Sequence, residues 1–116
     1  MRNIFPAFEF VRGTTPKLVF TLPEEIDPAQ YKVYVAFVQN FKSILTVISG
    51  SDQMEITGPQ VTVSLSQSDT LLLDVGDVDV IIDYASNDRT FRNTSEPIYG
   101  LVQRGANGSV IPEVIP

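Results

Sequence analysis

Apolar and polar residues alternate with a period of two through most of this chain, in short runs closed by Gly, Pro, Asn and Asp. That period belongs to half-buried β-strands. Residues 17–22 (KLVFTL) put Leu18, Phe20 and Leu22 on one face, and Pro16 and Pro23 bracket the run because proline gives a sheet no amide. An acidic loop over 23–28 follows, with Glu24, Glu25 and Asp27. Residues 31–39 (YKVYVAFVQ) are dense in β-branched and aromatic side chains and form the strongest predicted strand. Asn40-Phe41 suits a tight turn, since Asn tolerates the left-handed conformation, and residues 42–49 (KSILTVIS) return antiparallel. Gly50-Ser51-Asp52 ends that strand, 53–57 makes a shorter one, Gly58-Pro59 turns, and 60–65 alternates with Val61, Val63 and Leu65 inward.

One helical signature interrupts the strands. Ser66-Gln67-Ser68-Asp69 matches a capping box, in which Ser66 bonds the Asp69 amide and Asp69 sits at the positive end of a single turn. Leu71, Leu72 and Leu73 then plug the end of a core. Residues 77–84 form a clean strand with Val78, Val80, Ile82 and Tyr84 on one face, 86–89 a hairpin loop, and 91–103 a last strand pair or one long bent strand. Six to eight short strands at spacings of about ten residues predict an all-β fold: an Ig-like antiparallel β-sandwich with one short helical crossover turn. A small barrel is the alternative. The chain reads as a single domain, 1–116, with an apolar N-terminal arm (1–12: Ile4, Phe5, Phe8, Phe10) and an apolar C-terminal tail (106–116: Val110, Ile111, Val114, Ile115).

Composition removes whole classes of chemistry. The 116 residues contain no Cys and no His, which excludes disulfides, thiolate zinc sites, cysteine nucleophiles, Ser-His-Asp catalysis and His-ligated metals. Apolar residues make up 43%, yet no run approaches the roughly 20 needed to span a bilayer, so no membrane partner is expected. Pro6, Glu9 and Arg12 interrupt the start of the chain, so no secretory h-region is expected there, and the absence of Cys fits production in the cytoplasm. A net charge of −6 with only eight scattered Lys and Arg argues against nucleic acid. No cofactor is expected, because no Gly-rich strand-to-helix turn exists to cradle phosphate.

Polar constellations point to ordinary surface. Asp77, Asp79 and Asp83 lie on one side of a strand, with Asp74 just upstream. Hard cations take such oxygen ligands, but side chains two apart on a strand diverge, and a solvated, charge-protected sheet face is the plainer reading. The carboxylate pairs Glu24-Glu25 and Asp77-Asp79 would need a substrate cleft to hydrolyse a glycoside. Lys17, Lys32 and Lys42 stand in no S-x-x-K arrangement, and Asn93-Thr94-Ser95 and Asn107-Gly108-Ser109 are sequons that matter only to a secreted chain.

The remaining signal is surplus apolar surface. Tyr31, Val33, Val35 and Phe37 occupy one face of their strand and Tyr34, Ala36 and Val38 the other; Leu45 and Val47 oppose Ile44 and Ile48. A sandwich sheet normally keeps one wet face, so either the chain's own ends or another polypeptide covers the second one. The candidate contact residues are Phe5, Phe8 and Phe10 on the arm and Tyr34 and Val38 on the central hairpin. A carbohydrate- or receptor-binding module is the competing class, with Tyr31, Tyr84 and Tyr99 as the aromatics that would have to share a groove.

Residues 63–80, VSLSQSDTLLLDVGDVDV, resemble small Ig-like structural proteins of the tails and baseplates of phages and prophages of Gram-positive bacteria. Those proteins carry a strand ending in L-[ST]-Q-x-D-T-L, then a glycine, then V-x-V; Leu65, Ser66, Gln67, Asp69, Thr70 and Leu71 fit, as do Gly76, Val78 and Val80. The opening from Gly13 to Leu22 and the turn Asn87-Asp88-Arg89-Thr90 before Ser95-Glu96-Pro97-Ile98 are similar too, so that about half the chain takes part. An antibody-type domain is out, because its cysteine and tryptophan are missing. The resemblance implies a non-catalytic virion structural or assembly protein, made in the host bacterial cytoplasm and then part of the virion. Its partners would be other virion proteins or its own copies in a homo-oligomer. It implies no catalytic residues.

Overall fold

Strand formation follows the period-two runs closely. The computed structural model describes residues 5–105, which hold nine strands and one helix: β1 (Phe8–Val11), β2 (Lys17–Thr21), β3 (Tyr31–Gln39), β4 (Lys42–Ile48), β5 (Met54–Thr57), β6 (Gln60–Ser64), α1 (Gln67–Leu71), β7 (Gly76–Ser86), β8 (Arg92–Thr94) and β9 (Ile98–Gln103). The larger sheet runs β1-β9-β7-β3-β4 with β8 also on β7, and the smaller runs β2-β6-β5. These strand orders are those of an immunoglobulin-like sandwich.

Every second side chain of each sheet points into a shared core. Leu18, Phe20, Val61 and Val63 come from the smaller sheet and meet Val33, Val35, Phe37, Val47, Val78, Val80, Ile82 and Val102 from the larger. Each such side chain contributes roughly 1.5–3 kcal/mol relative to leaving it in water.

Two expectations need correction. The strands number nine among the described residues, not six to eight, and one pairing is parallel: β1 lies alongside β9 with Phe8 opposite Gly100 and Phe10 opposite Val102. The stretch read as an apolar arm is therefore, from Phe8 onward, an integral strand. Phe10 is buried, and Phe8 packs beside it with rings 6.1 Å apart and edge-on to Phe20 at 5.8 Å. The alternation Phe8, Phe10 against Glu9, Val11 carries this strand, and Pro6 and Gly13 disguise it as an arm. The far end of the arm, residues 1–4, and the whole tail, 106–116, lie outside the described residues.

Where a strand pair or one long bent strand is expected over 91–103, the structure has two strands that both pair with β7. β8 and β9 lie in succession along the same side of β7, the first opposite residues 83–85 and the second opposite 76–80. Ser95 bridges the gap: its amide donates to the Ile82 carbonyl at 2.8 Å and its hydroxyl accepts from the Ile82 amide at 2.9 Å. Pro97 cannot donate to a ladder, which splits the long bent strand here.

The crossover helix has the predicted capping box. The Asp69 amide donates to Ser66 Oγ at 3.1 Å, and Asp69 Oδ2 accepts from the Ser66 amide at 2.9 Å. Its other end is closed by a residue sixty positions away. Arg12 donates from Nε to the Leu73 carbonyl at 2.8 Å and from Nη2 to the Leu71 carbonyl at 2.7 Å, satisfying acceptors that a helix C-terminus leaves open. Thr70, fully buried, donates to the Thr14 carbonyl at 2.9 Å and accepts from the Gly13 amide at 2.9 Å. The β1–β2 turn and the helix are thus one hydrogen-bonded unit.

Candidate protein-docking face

The outer face of the larger sheet is built by the side chains that β3, β4 and β7 turn away from the core. Register sets Tyr34 beside Ile48 and Asp83, Ala36 beside Thr46 and Ile81, and Val38 beside Ser43 and Asp79. Tyr34 is 37% exposed and Ile48 44% exposed, an aromatic–aliphatic pair standing side by side in solvent. Ile44 is exposed as well, beside a register shift between Phe37 and Val38 that bulges β4. A shallow concavity of about 530 Å³ opens among Tyr34, Ala36, Thr46, Ala85 and Arg92.

Of the five candidate contact residues, the structure keeps three at the surface. Tyr34 and Val38 lie on this face, Val38 half-buried. Phe5 is 96% exposed but sits ahead of β1, apart from the face in sequence and pairing. Phe10 is withdrawn into the core and Phe8 is largely engaged with it, so the arm does not present its aromatics as a set. Phe41 was missed. It is fully exposed at the tip of the β3–β4 hairpin, and both turn residues have positive φ, 52° at Asn40 and 64° at Phe41. Such a turn suits Asn-Gly, and a bulky residue there is an outlier. The visible signal was a large aromatic in the place where glycine belongs.

Two aspartates of β7 have different partners. Asp77 Oδ1 accepts from the Tyr99 hydroxyl at 2.9 Å, while Asp83 accepts from the Thr94 hydroxyl and lies 3.7 Å from the Arg92 guanidinium. Among the described residues no group of three or more Asp and Glu is placed to hold a metal ion. Glu24 accepts from the Tyr84 hydroxyl, so this member of the Glu24-Glu25 pair braces the core.

The three candidate tyrosines do not share a groove. Tyr84 is buried, and Tyr99 stands beside Asp77 on the outer sheet face. Tyr31 is at the loop end, edge-on to Phe91 at 6.2 Å, where a depression of about 500 Å³ is bounded by Gln30, Asn87, Asp88 and Thr90. Among the described residues no helix is long and apolar enough to cross a membrane. Comparison of the chain with protein-family models and with curated proteins finds no match.

Proposed function

We propose that this chain is a non-catalytic assembly component, a structural protein of the tail or baseplate of a phage or prophage, and that it docks on other virion proteins or its own copies. On this reading it is made in the host cytoplasm and ends in the virion. The observation that carries the docking role is the Tyr34–Ile48 pair with Ile44, Ala36 and Val38 around it: apolar surface on the solvent side of a sheet whose other side already has a full core. Exposed apolar patches of this kind mark contact sites on other proteins. The phage setting rests on the resemblance of residues 63–80.

The test is mass spectrometry of particles banded on a density gradient after prophage induction in the source bacterium. The chain is expected in the particle band in multiple copies, and a Tyr34→Ser, Val38→Ser double variant is expected to fold yet stay out of it. Recovery of the wild-type chain only in the particle-free fraction overturns the reading. The loop-end depression with Tyr31 and Phe91 favours, as a second reading, a module that recognises a glycan or receptor, which a glycan array would detect.

A further inference from the structure

The chain carries eight Lys and Arg against fourteen Asp and Glu, yet two of its cations share a hollow whose walls hold no carboxylate. The hollow, of about 290 Å³, lies at the loop end of the outer sheet face and is lined by Lys32, Tyr34, Ala85, Ser86, Asn87 and Arg89. Lys32 and Arg89 are both exposed, and neither side chain has an ion pair or hydrogen bond among the described residues. An anion seated between two like charges relieves their repulsion as well as attracting each of them.

Register brings Lys32 to this spot. It stands outward on β3 opposite Ala85 of β7, whose small side chain leaves the space open, and Arg92 of β8 flanks Ala85 on the other side. Arg92 lies 3.7 Å from Asp83, so the nearest carboxylate already has a cation of its own. Arg89 arrives from the 86–91 loop with φ at 65°, a left-handed conformation that few residues other than glycine adopt. The loop is tied down: the Asn87 amide donates to the Gln30 carbonyl at 2.8 Å and Asn87 Nδ2 to the Ala29 carbonyl at 3.1 Å. Asp88, the loop's one carboxylate, gives its Oδ1 to Ser86 and Thr90 and borders the separate depression beside Tyr31. The amides of Ser86, Asn87, Arg89, Thr90 and Phe91 are all bonded within the fold. The hollow thus offers side-chain cations and no cradle of amides, which suits a carboxylate better than a phosphate.

We propose that this hollow receives an Asp or Glu side chain of another protein, on a segment whose apolar neighbour covers Tyr34. The proposal rests on the docking reading above and names the chemistry of the partner segment. Tyr34 and Ala85 line both this hollow and the concavity that holds Ala36 and Thr46, so one bound segment spans the cations and the apolar patch. Arg89 presents a planar fork to a carboxylate, and Lys32 adds a point charge. On a chain of net charge −6 such a corner fixes where an acidic segment lands and in which orientation. A second copy would bring its own net charge of −6, so the segment is assigned to a different protein.

The probe is a tripeptide of glutamate, leucine and glutamate, blocked at both ends and titrated into the isotope-labelled chain while amide NMR signals are followed. At about millimolar peptide, shifts are expected to gather at Lys32, Tyr34, Ala85 and Asn87 and to shrink as salt is added. The glutamine analogue of the peptide is expected to bind about tenfold more weakly, and so is the peptide to a Lys32→Gln, Arg89→Gln double variant, since each change removes two exposed ion pairs. Both positions are exposed, so the double variant should keep its circular dichroism, and Lys17→Gln on the other sheet should bind as wild type does. Equal binding of the glutamine peptide, shifts gathered elsewhere or no shifts at all overturn the proposal. Tighter binding of inorganic phosphate or of glucuronate than of the peptide also overturns it, as does a wild-type dimer that the double variant loses. In the particle assay above, a double variant incorporated as fully as wild type refutes the hollow alone. Peptide binding by a wild-type chain absent from particles refutes the virion role alone.

Discussion

Gln39 and Asp74 pair reciprocally, the side-chain amide of one against the main chain of the other. Gln39 Nε2 donates to the Asp74 carbonyl at 2.8 Å, and Gln39 Oε1 accepts from the Asp74 amide at 2.8 Å. The same Nε2 also donates to the Asp77 carbonyl at 3.1 Å. With Gln39 only 7% exposed, this last residue of β3 acts as a strand neighbour for the segment entering β7. Gln39→Glu turns a donor aimed at two carbonyls into an acceptor, and is expected to destabilise by about 3 kcal/mol. The check is a lower urea midpoint at unchanged slope.

Tyr84 gives the fold an alkaline limit. Its hydroxyl donates to Glu24 at 2.9 Å and accepts from Asn93 Nδ2 at 3.0 Å. Burial pushes the phenol above its ordinary value of 10.0; the Asn93 bond pulls it partly back, and Glu24 reinforces the rise. The folded state thus holds a proton that the unfolded chain releases, so this contribution is complete below pH 10 and lost as the pH climbs through the folded value. Tyr84→Phe is expected to cost about 1 kcal/mol at neutral pH and to flatten the fall above pH 10. Denaturant melts from pH 8 upward measure both.

Gly100 should not accept even a methyl group. A Cβ there would fall 2.1 Å from Cζ of Phe8, whose ring covers the glycine across the β1–β9 pair. Gly100→Ala must displace that ring from Phe10 and Phe20, at a cost of about 1–3 kcal/mol. Calorimetry should show the loss, and the double variant with Phe8→Ala should lose less than the two single variants together.

Asp88 sets an acid response in the 86–91 loop. Its Oδ1 accepts from Ser86 Oγ at 2.6 Å, from Thr90 Oγ1 at 2.7 Å and from the Thr90 amide at 3.0 Å. The Ser86 hydroxyl, then the Thr90 groups, hold the carboxyl down to about 2, against an ordinary 3.8. The bonded form is the ionised one, so the loop is fully braced above pH 3.8 and loosens as pH falls toward 2. A carboxyl NMR titration should show the low midpoint, and Ser86→Ala should raise it.

What the sequence made legible was local. The inward and outward sets of β3 and β7 follow from period two alone, and so do Tyr34 and Val38 on the outer face. The helix start was readable because Ser66 and Asp69 are three residues apart. β1 was not, since four residues between Pro6 and Gly13 look alike as an arm or a strand, and the partner that decides, β9, lies some ninety positions away. The Arg12 clamp on Leu71 and Leu73 was hidden for the same reason. Ile81 falls on the outer face by the same alternation, and its pairing with Ala36 places it there.

The parallel β1–β9 pair has a mechanical consequence. The chain enters β1 beside Gly100 and leaves β9 beside Val11, so the two tethers depart from opposite ends of one ladder. Tension between them loads those hydrogen bonds in shear, where they must fail together, instead of peeling them apart singly. A domain strung in series would resist stretching as a stiff link.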